Sequence, residues 1–222
     1  PLFTNSPEIQ LSLSSDATRV QFSNGWLWEA EDVYSVFHHP GTGIAIPDHT
    51  ALNGWAWLGR ASVDVPGHWY GPYFCDLPTG RDYRAYFRLK IGTNTTGEEV
   101  ATLDVVDTEG TRRLGPSRSL DPDDFNATHR YQETPLDFYY GDKGTTCTDP
   151  AHNDGVELRT WFCSTVDTYV DRFCIFTADE PLSAYKNWTL PQSEGAHEVL
   201  VRFLDDAGNC SPVYSRTVFL DF

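Results

Sequence analysis

Ile9-Gln10-Leu11-Ser12-Leu13-Ser14 alternates apolar and polar side chains residue by residue. A strand turns successive side chains to opposite faces, so this spacing predicts a half-buried β-strand rather than a helix. The same period returns where Val20 and Phe22 alternate with Arg19, Gln21 and Ser23, and where Val199, Val201 and Phe203 alternate with Glu198 and Arg202. Strands are likewise predicted over 62–65, 83–89, 101–106, 136–140, 156–162 and 169–176. Turn clusters such as Pro66-Gly67, Pro78-Thr79-Gly80 and Thr108-Glu109-Gly110 separate them, and the 3.6-residue period of a helix is almost missing. Many short strands with turn punctuation predict an all-β sandwich of antiparallel sheets.

At 222 residues the chain is long enough for one large or two unequal domains. Its apolar share of 40% and aromatic share of 14% supply a real core. No run approaches about 18 apolar residues, so no membrane insertion is expected. Pro1-Leu2-Phe3 has neither a basic nor an apolar leader pattern, and without an initial Met the chain reads as a processed product or a piece of something longer. Sixteen basic residues against 32 acidic give a net charge of −16. Such a surface repels phosphate backbones and anionic membranes, which excludes nucleic acid as a partner, and it attracts divalent cations. Five cysteines, Cys75, Cys147, Cys163, Cys174 and Cys210, show no C-x-x-C spacing, which argues against a zinc ribbon. Cys163 and Cys174 are spaced for a cross-strand disulfide, with an odd thiol left over. Three sequons, at Asn94, Asn126 and Asn187, fit a glycosylated extracellular or cell-surface protein.

The two ends of the chain differ from its middle. The segment from Ser6 to Asn24 resembles the opening strands of bacterial extracellular Ig-like repeats. The tail, with Glu198-Val199-Leu200-Val201-Arg202-Phe203 and the turn Asp205-Asp206-Ala207-Gly208-Asn209-Cys210-Ser211, resembles their closing strands. The resemblance implies a discontinuous Ig-like domain over 1–24 and 177–222, with a second domain over 25–176 inserted at a loop tip, where insertion is best tolerated. Trp28-Glu29-Ala30-Glu31-Asp32 opens that middle segment and Tyr169-Val170-Asp171-Arg172-Phe173 closes it. Together with Val63-Asp64-Val65-Pro66-Gly67-His68-Trp69 and the segment from Gly80 to Lys90, these resemble the calcium-containing jelly-roll carbohydrate-binding modules of the family 6, 35 and 36 type. That resemblance implies a jelly-roll β-sandwich holding Ca²⁺ through Glu29, Glu31 and Asp171. Glu29 and Glu31, two apart on a strand, would share a face and repel unless a cation lay between them. Arg172 would point to the opposite face.

Sugar recognition needs exposed aromatic platforms flanked by donors and acceptors. Trp55, with Trp57 on its face, Trp69, Tyr70 and Tyr140 are the candidate platforms, and Asp48, His49, Asn153 and Asp154 the candidate polar partners. His38-His39 lacks the H-E-x-x-H pattern, the acidic run Asp121-Pro122-Asp123-Asp124 lacks the glycine and terminal glutamate of an EF-hand, and no G-x-S-x-G occurs. The expectation is therefore a non-catalytic extracellular module on an Ig-like stalk, calcium-stabilised, with a polysaccharide or glycan as partner. The other expectation is a structural subunit of an extracellular filament, sheath or surface layer, because edge strands invite self-assembly.

Overall fold

The computed structural model describes residues 2–93, 97–143, 147 and 155–222. Among them regular structure is all strand apart from one 3₁₀ turn, Pro122–Asp124. That turn absorbs the acidic run, with Asp121 as its cap and Asp124 closing a capping box. No helix is long and apolar enough to cross a membrane. The chain opens with β1 (Leu2–Thr4), β2 (Glu8–Ser12) and β3 (Arg19–Ser23). Next come β4 (Leu27–Glu29), β5 (Phe37–His38), β6 (Ile44–Pro47), β7 (Trp55–Gly59), β8 (Gly67–Phe74), β9 (Arg81–Ile91) and β10 (Ala101–Asp107). These are followed by β11 (Arg112–Arg113), β12 (Arg118–Leu120), β13 (Gln132–Tyr140), β14 (Val156–Phe162) and β15 (Thr168–Thr177). The chain closes with β16 (Glu180–Pro181), β17 (Tyr185–Thr189), β18 (Gly195–Leu204) and β19 (Tyr214–Leu220).

These strands form two compact units, one of Pro1–Trp26 with Phe176–Phe222 and one of Leu27–Ile175. In the first, a sheet of order β1-β19-β18-β3-β16 and the antiparallel pair β17-β2 enclose Val20, Phe22, Trp188, Leu190, Val199 and Val218. The alternating Ile9 and Leu11 pack against that core, as their spacing requires. The Asp205–Asn209 turn is closed by the Asp205 carboxylate, which accepts from the Asn209 backbone at 2.8 Å and from its amide at 2.7 Å.

The second unit pairs a sheet of order β11-β10-β14-β8-β5, with β12 beside β10, and a sheet of order β13-β9-β15-β7-β6, with β4 beside β15. Their inner faces bury Leu103, Val105, Leu158 and Phe162 from one sheet and Ala85, Phe87, Leu89 and Phe138 from the other. The sheets approach closely at Gly59 of β7. A Cβ there would lie 2.7 Å from the Trp69 ring and 2.8 Å from the Phe162 ring. Trp69 stacks on Phe162 with centroids 5.0 Å apart and donates its indole N–H to Thr42 Oγ1 at 3.0 Å.

Two expectations need correction here. Residues 62–65 are a turn rather than a strand, because Asp64 accepts from both the backbone N–H and the guanidinium of Arg60, which leaves Val63 and Val65 in solvent. The disulfide joins Cys75 to Cys147, and Cys163 and Cys174 are not joined. Cys163 precedes a turn that begins at Ser164, whose positive φ of 61° redirects the chain.

Trp69→Ala should therefore cost about 3–5 kcal/mol, the range for deleting a large core ring. Urea unfolding checks this, with Trp55→Ala, at an exposed ring, as the reference expected to shift the midpoint far less.

Candidate functional site

With Leu158 and Phe162 turned inward on β14, strand period sends Glu157, Arg159 and Trp161 to the opposite, outer face. Register carries that face across four strands. Arg159 stands opposite Asp104 of β10 on one side and Tyr70 of β8 on the other, and Tyr70 stands opposite Phe37 of β5. A second row places Thr102, Trp161 and His68 side by side. Four strands at the usual separation give the face a width of about 14 Å.

The rings on this face touch one another. Phe37 lies 5.9 Å from Tyr70 and 5.5 Å from Tyr73, and His68 meets Trp161 edge-on at 4.7 Å. His39 stands edge-on to both His68 and Tyr70. Tyr73 joins the group because the ladder slips between Val156 and Glu157, leaving Tyr73 as an extra residue on β8 at φ 61°. Such a bulge re-aims a side chain that regular pleating would turn away. Trp161 and Phe37 remain 36% and 37% exposed, so their rings are available to a ligand.

Charge on the face is held in place by ion pairs. Arg159 grips Asp104 with Nε at 2.8 Å and Nη2 at 2.6 Å, and its Nη1 donates to the Gly110 carbonyl at 3.2 Å. Glu157 is 3% exposed and its Oε1 has no hydrogen-bond partner. Burial pushes its carboxyl up to about 7, with Arg159 opposing and Asp104, Asp107 and Glu109 reinforcing the rise. Burial, then Arg159 and His39, lower His68.

Of the described candidates for sugar contact, Tyr70 alone belongs to this face. Trp55 is 46% exposed but stands on β7 of the other sheet, and His49 is an exposed loop residue. Trp69 and Tyr140 are fully buried core rings, not platforms, since each takes the inward position of its strand. Asp48 is not free for a ligand. It pairs with Lys90 at 2.5 Å and accepts from Thr50 and from the Tyr131 hydroxyl at 2.9 Å. Asn153 and Asp154 lie outside the described residues. Phe37, Tyr73, Arg159 and Trp161 were missed, although the alternation in 156–162 already sets Arg159 and Trp161 opposite Leu158 and Phe162.

The expected calcium ligands are arranged as ion pairs. Glu29 ends β4 and Glu31 lies in the following turn, so the two do not share a strand face. Arg172 stands directly across from Glu29, with Nη2 2.9 Å from Oε1, instead of pointing away. Arg88 pairs with the fully buried Asp171, whose carboxylate also accepts from Leu52 N–H at 3.3 Å, and Asn53 donates to Glu31 at 2.5 Å. Two guanidinium groups thus stand beside the carboxylates, and among the described residues no three His, Cys, Asp or Glu side chains gather to hold a metal ion. As placed, these residues do not fit calcium. Glu29 Oε2 and Glu31 Oε2 are buried without a partner, and burial pushes Glu29 up to about 7 against the opposing Arg172.

Melting temperatures in excess calcium and in excess chelator should coincide, whereas Arg88→Ala should cost about 3–5 kcal/mol by leaving the buried Asp171 with only the Leu52 N–H and Arg172 at 4.0 Å. A calcium-dependent rise abolished by Glu29→Gln would reverse this assignment. Glu29 and Glu157 both hold a proton in the folded state up to about pH 7 that the unfolded chain releases near 4.5. Their contribution is complete below pH 4.5 and is lost as pH rises to about 7, by about 1–2 kcal/mol each after discounting for solvent screening. Glu29→Gln should flatten that slope in unfolding measured across this window.

No family model matches the chain. A search of curated proteins finds no match. Among solved structures the chain is similar to the CBM22-1 xylan-binding domain of Paenibacillus barcinonensis Xyn10C, at 6% identity over 74% of this chain and 97% of that one, with a TM-score of 0.45. It is also similar to the arabinose-bound α-L-arabinofuranosidase MgGH51, at 11% identity, 81% and 29% coverage and a TM-score of 0.46. A third is the xylohexaose complex of the CBM22-1 and GH10 modules of Clostridium thermocellum xylanase 10B, at 13% identity and a TM-score of 0.41. That match covers 72% of this chain and 28% of the other, so the chain spans less than a third of two of these three structures.

Proposed function

We propose that this chain is a non-catalytic carbohydrate-binding protein that holds a polysaccharide or glycan along the outer face of the β5-β8-β14-β10 sheet. The observation that carries the reading is the register itself, which sets Phe37, Tyr70, Arg159 and Asp104 in one row and Trp161 and His68 in the next. Sugars offer apolar C–H faces and hydroxyl edges. Aromatic rings accept the first, and the Glu157 carboxylate and the histidine ring nitrogens hydrogen-bond the second. No bond is made or broken. The Cys75–Cys147 disulfide supports an oxidising, extracellular location, and the exposed sequon residues Asn126 and Asn187 suit glycosylation there. The unit built from both chain ends is read as the Ig-like companion. The structural-subunit reading has one observation in its favour, the sheet-edge strand β1 with Leu2 and Phe3 in solvent.

Trp161→Ala should weaken binding to a glycan array hit by about 1–3 kcal/mol, the scale of a lost aromatic contact, with the melting temperature nearly unchanged. Titration calorimetry against that glycan checks it. Absence of any array hit, together with concentration-dependent oligomers on sizing, would favour the structural subunit. Release of reducing ends from the bound glycan would mark an enzyme.

A further inference from the structure

Resting on the reading of this face as a glycan site, its charge assigns the class of glycan: we infer that it takes uncharged sugar chains and turns away chains bearing carboxylate or sulfate groups. An acidic sugar needs a cation free to meet it. The strands of this sheet carry four arginines and no lysine, and each of those guanidinium groups already meets an aspartate. Arg159 grips Asp104 through two nitrogens and gives its third to Gly110. Arg112 grips Asp107 through two nitrogens and reaches Asp142 at 2.6 Å. Arg113 lies 3.6 Å from Asp104 and Arg118 lies 3.0 Å from Asp124. The bidentate pairs of Arg159 and Arg112 are among the strongest polar contacts and are not surrendered to a second anion without leaving a carboxylate exposed to like charge, while Arg113 and Arg118 also stand beside an aspartate.

Glu157 sharpens the choice. Its unpartnered Oε1 lies beside Gly110, in the row of Val106 and Pro72 on the same strands, and the residue is 3% exposed. That oxygen rewards a donor. A sugar hydroxyl can supply one, while a carboxylate or sulfate oxygen brings a second negative charge to a poorly solvated place. The groups around Glu157 do not offset that charge: Arg159 and Arg113 already meet Asp104, Arg112 already meets Asp107, and Asp104, Asp107 and Glu109 all act to raise Glu157. His68 is biased to its neutral form by burial and by Arg159. The net charge of −16 adds a longer-range repulsion that salt screens.

The test is an array of neutral, uronate-bearing and sulfated oligosaccharides matched in length, probed with the full chain near pH 8, where histidine is neutral, at low and at physiological salt. Hits are expected among the neutral members, with charged counterparts bound at least tenfold more weakly. Glu157→Gln should narrow that gap, and so should Glu109→Gln, whose exposed position in the turn keeps the core untouched if the first variant fails to fold. Hits concentrated among uronate or sulfated members and weakened by Trp161→Ala would overturn the inference while leaving the glycan site standing. An array without any hit dependent on Trp161 would overturn the glycan site itself, and the inference with it.

Discussion

The close approach at Gly59 decides how the larger unit presents itself. Only a residue without a side chain lets β7 lie against the stacked rings of Trp69 and Phe162. Once those two rings are fixed between the sheets, strand period leaves no choice for their neighbours. His68 and Tyr70 on β8, with Arg159 and Trp161 on β14, must face outward. The proposed binding face is thus the obverse of the packing that holds the sandwich together, and a one-residue slip in either strand would exchange the two.

The other sheet spends its polar residues differently. Lys90 pairs with Asp48 and lies over the rings of Tyr131 and Tyr169, while Arg88 lies over Tyr131 and pairs with Asp171. Burial alone would raise Asp48, but the Lys90 ammonium and the Thr50 donors hold it below the usual carboxylate range. A desolvated network of this kind is costly to break and adds little over apolar packing, so its use is to fix one arrangement of the 48–53 segment against β9 and β15. That explains why Asp171 resembles a metal ligand in sequence yet is held by Arg88 and the Leu52 N–H, while Glu29 and Glu31 each keep one oxygen without a partner.

Alternation made most strands legible. Segments 83–89, 101–106, 136–140, 156–162 and 169–176 all lie within β9, β10, β13, β14 and β15; β13 alternates buried and exposed positions as the period requires, whereas β10 and β15 are buried on both faces. It failed at 62–65, where a local Asp64–Arg60 contact outcompeted the sheet, and period alone cannot see a side chain that captures its own backbone. The site was less legible than the fold. Sequence separates Trp69 from Tyr70 but does not say which turns inward, and that choice rests on Gly59 and Phe162, which are remote in the chain. Nor does it give register, without which Phe37, Tyr70, Arg159 and Asp104 are four unrelated positions. Tyr73 was out of reach altogether, since a bulge breaks the very period on which the reading depends.

Backbone strain is concentrated beside the same face. Thr108, Glu109 and Gly110 take φ values of 53°, 54° and 75° in succession, and left-handed backbone is unfavourable for the first two. The turn they form brings the Gly110 carbonyl to Arg159, and a Cβ at Gly110 would lie 2.7 Å from that guanidinium. Asp104 holds the other side of the same group. Arg159 is therefore fixed before any ligand arrives, and the rings that flank it pack on one another rather than swinging free. Binding to a surface already ordered loses little side-chain entropy. Rings that meet edge-on gain only modest energy per sugar, so on the proposed reading this prior ordering is what would leave a net affinity for a chain laid along them.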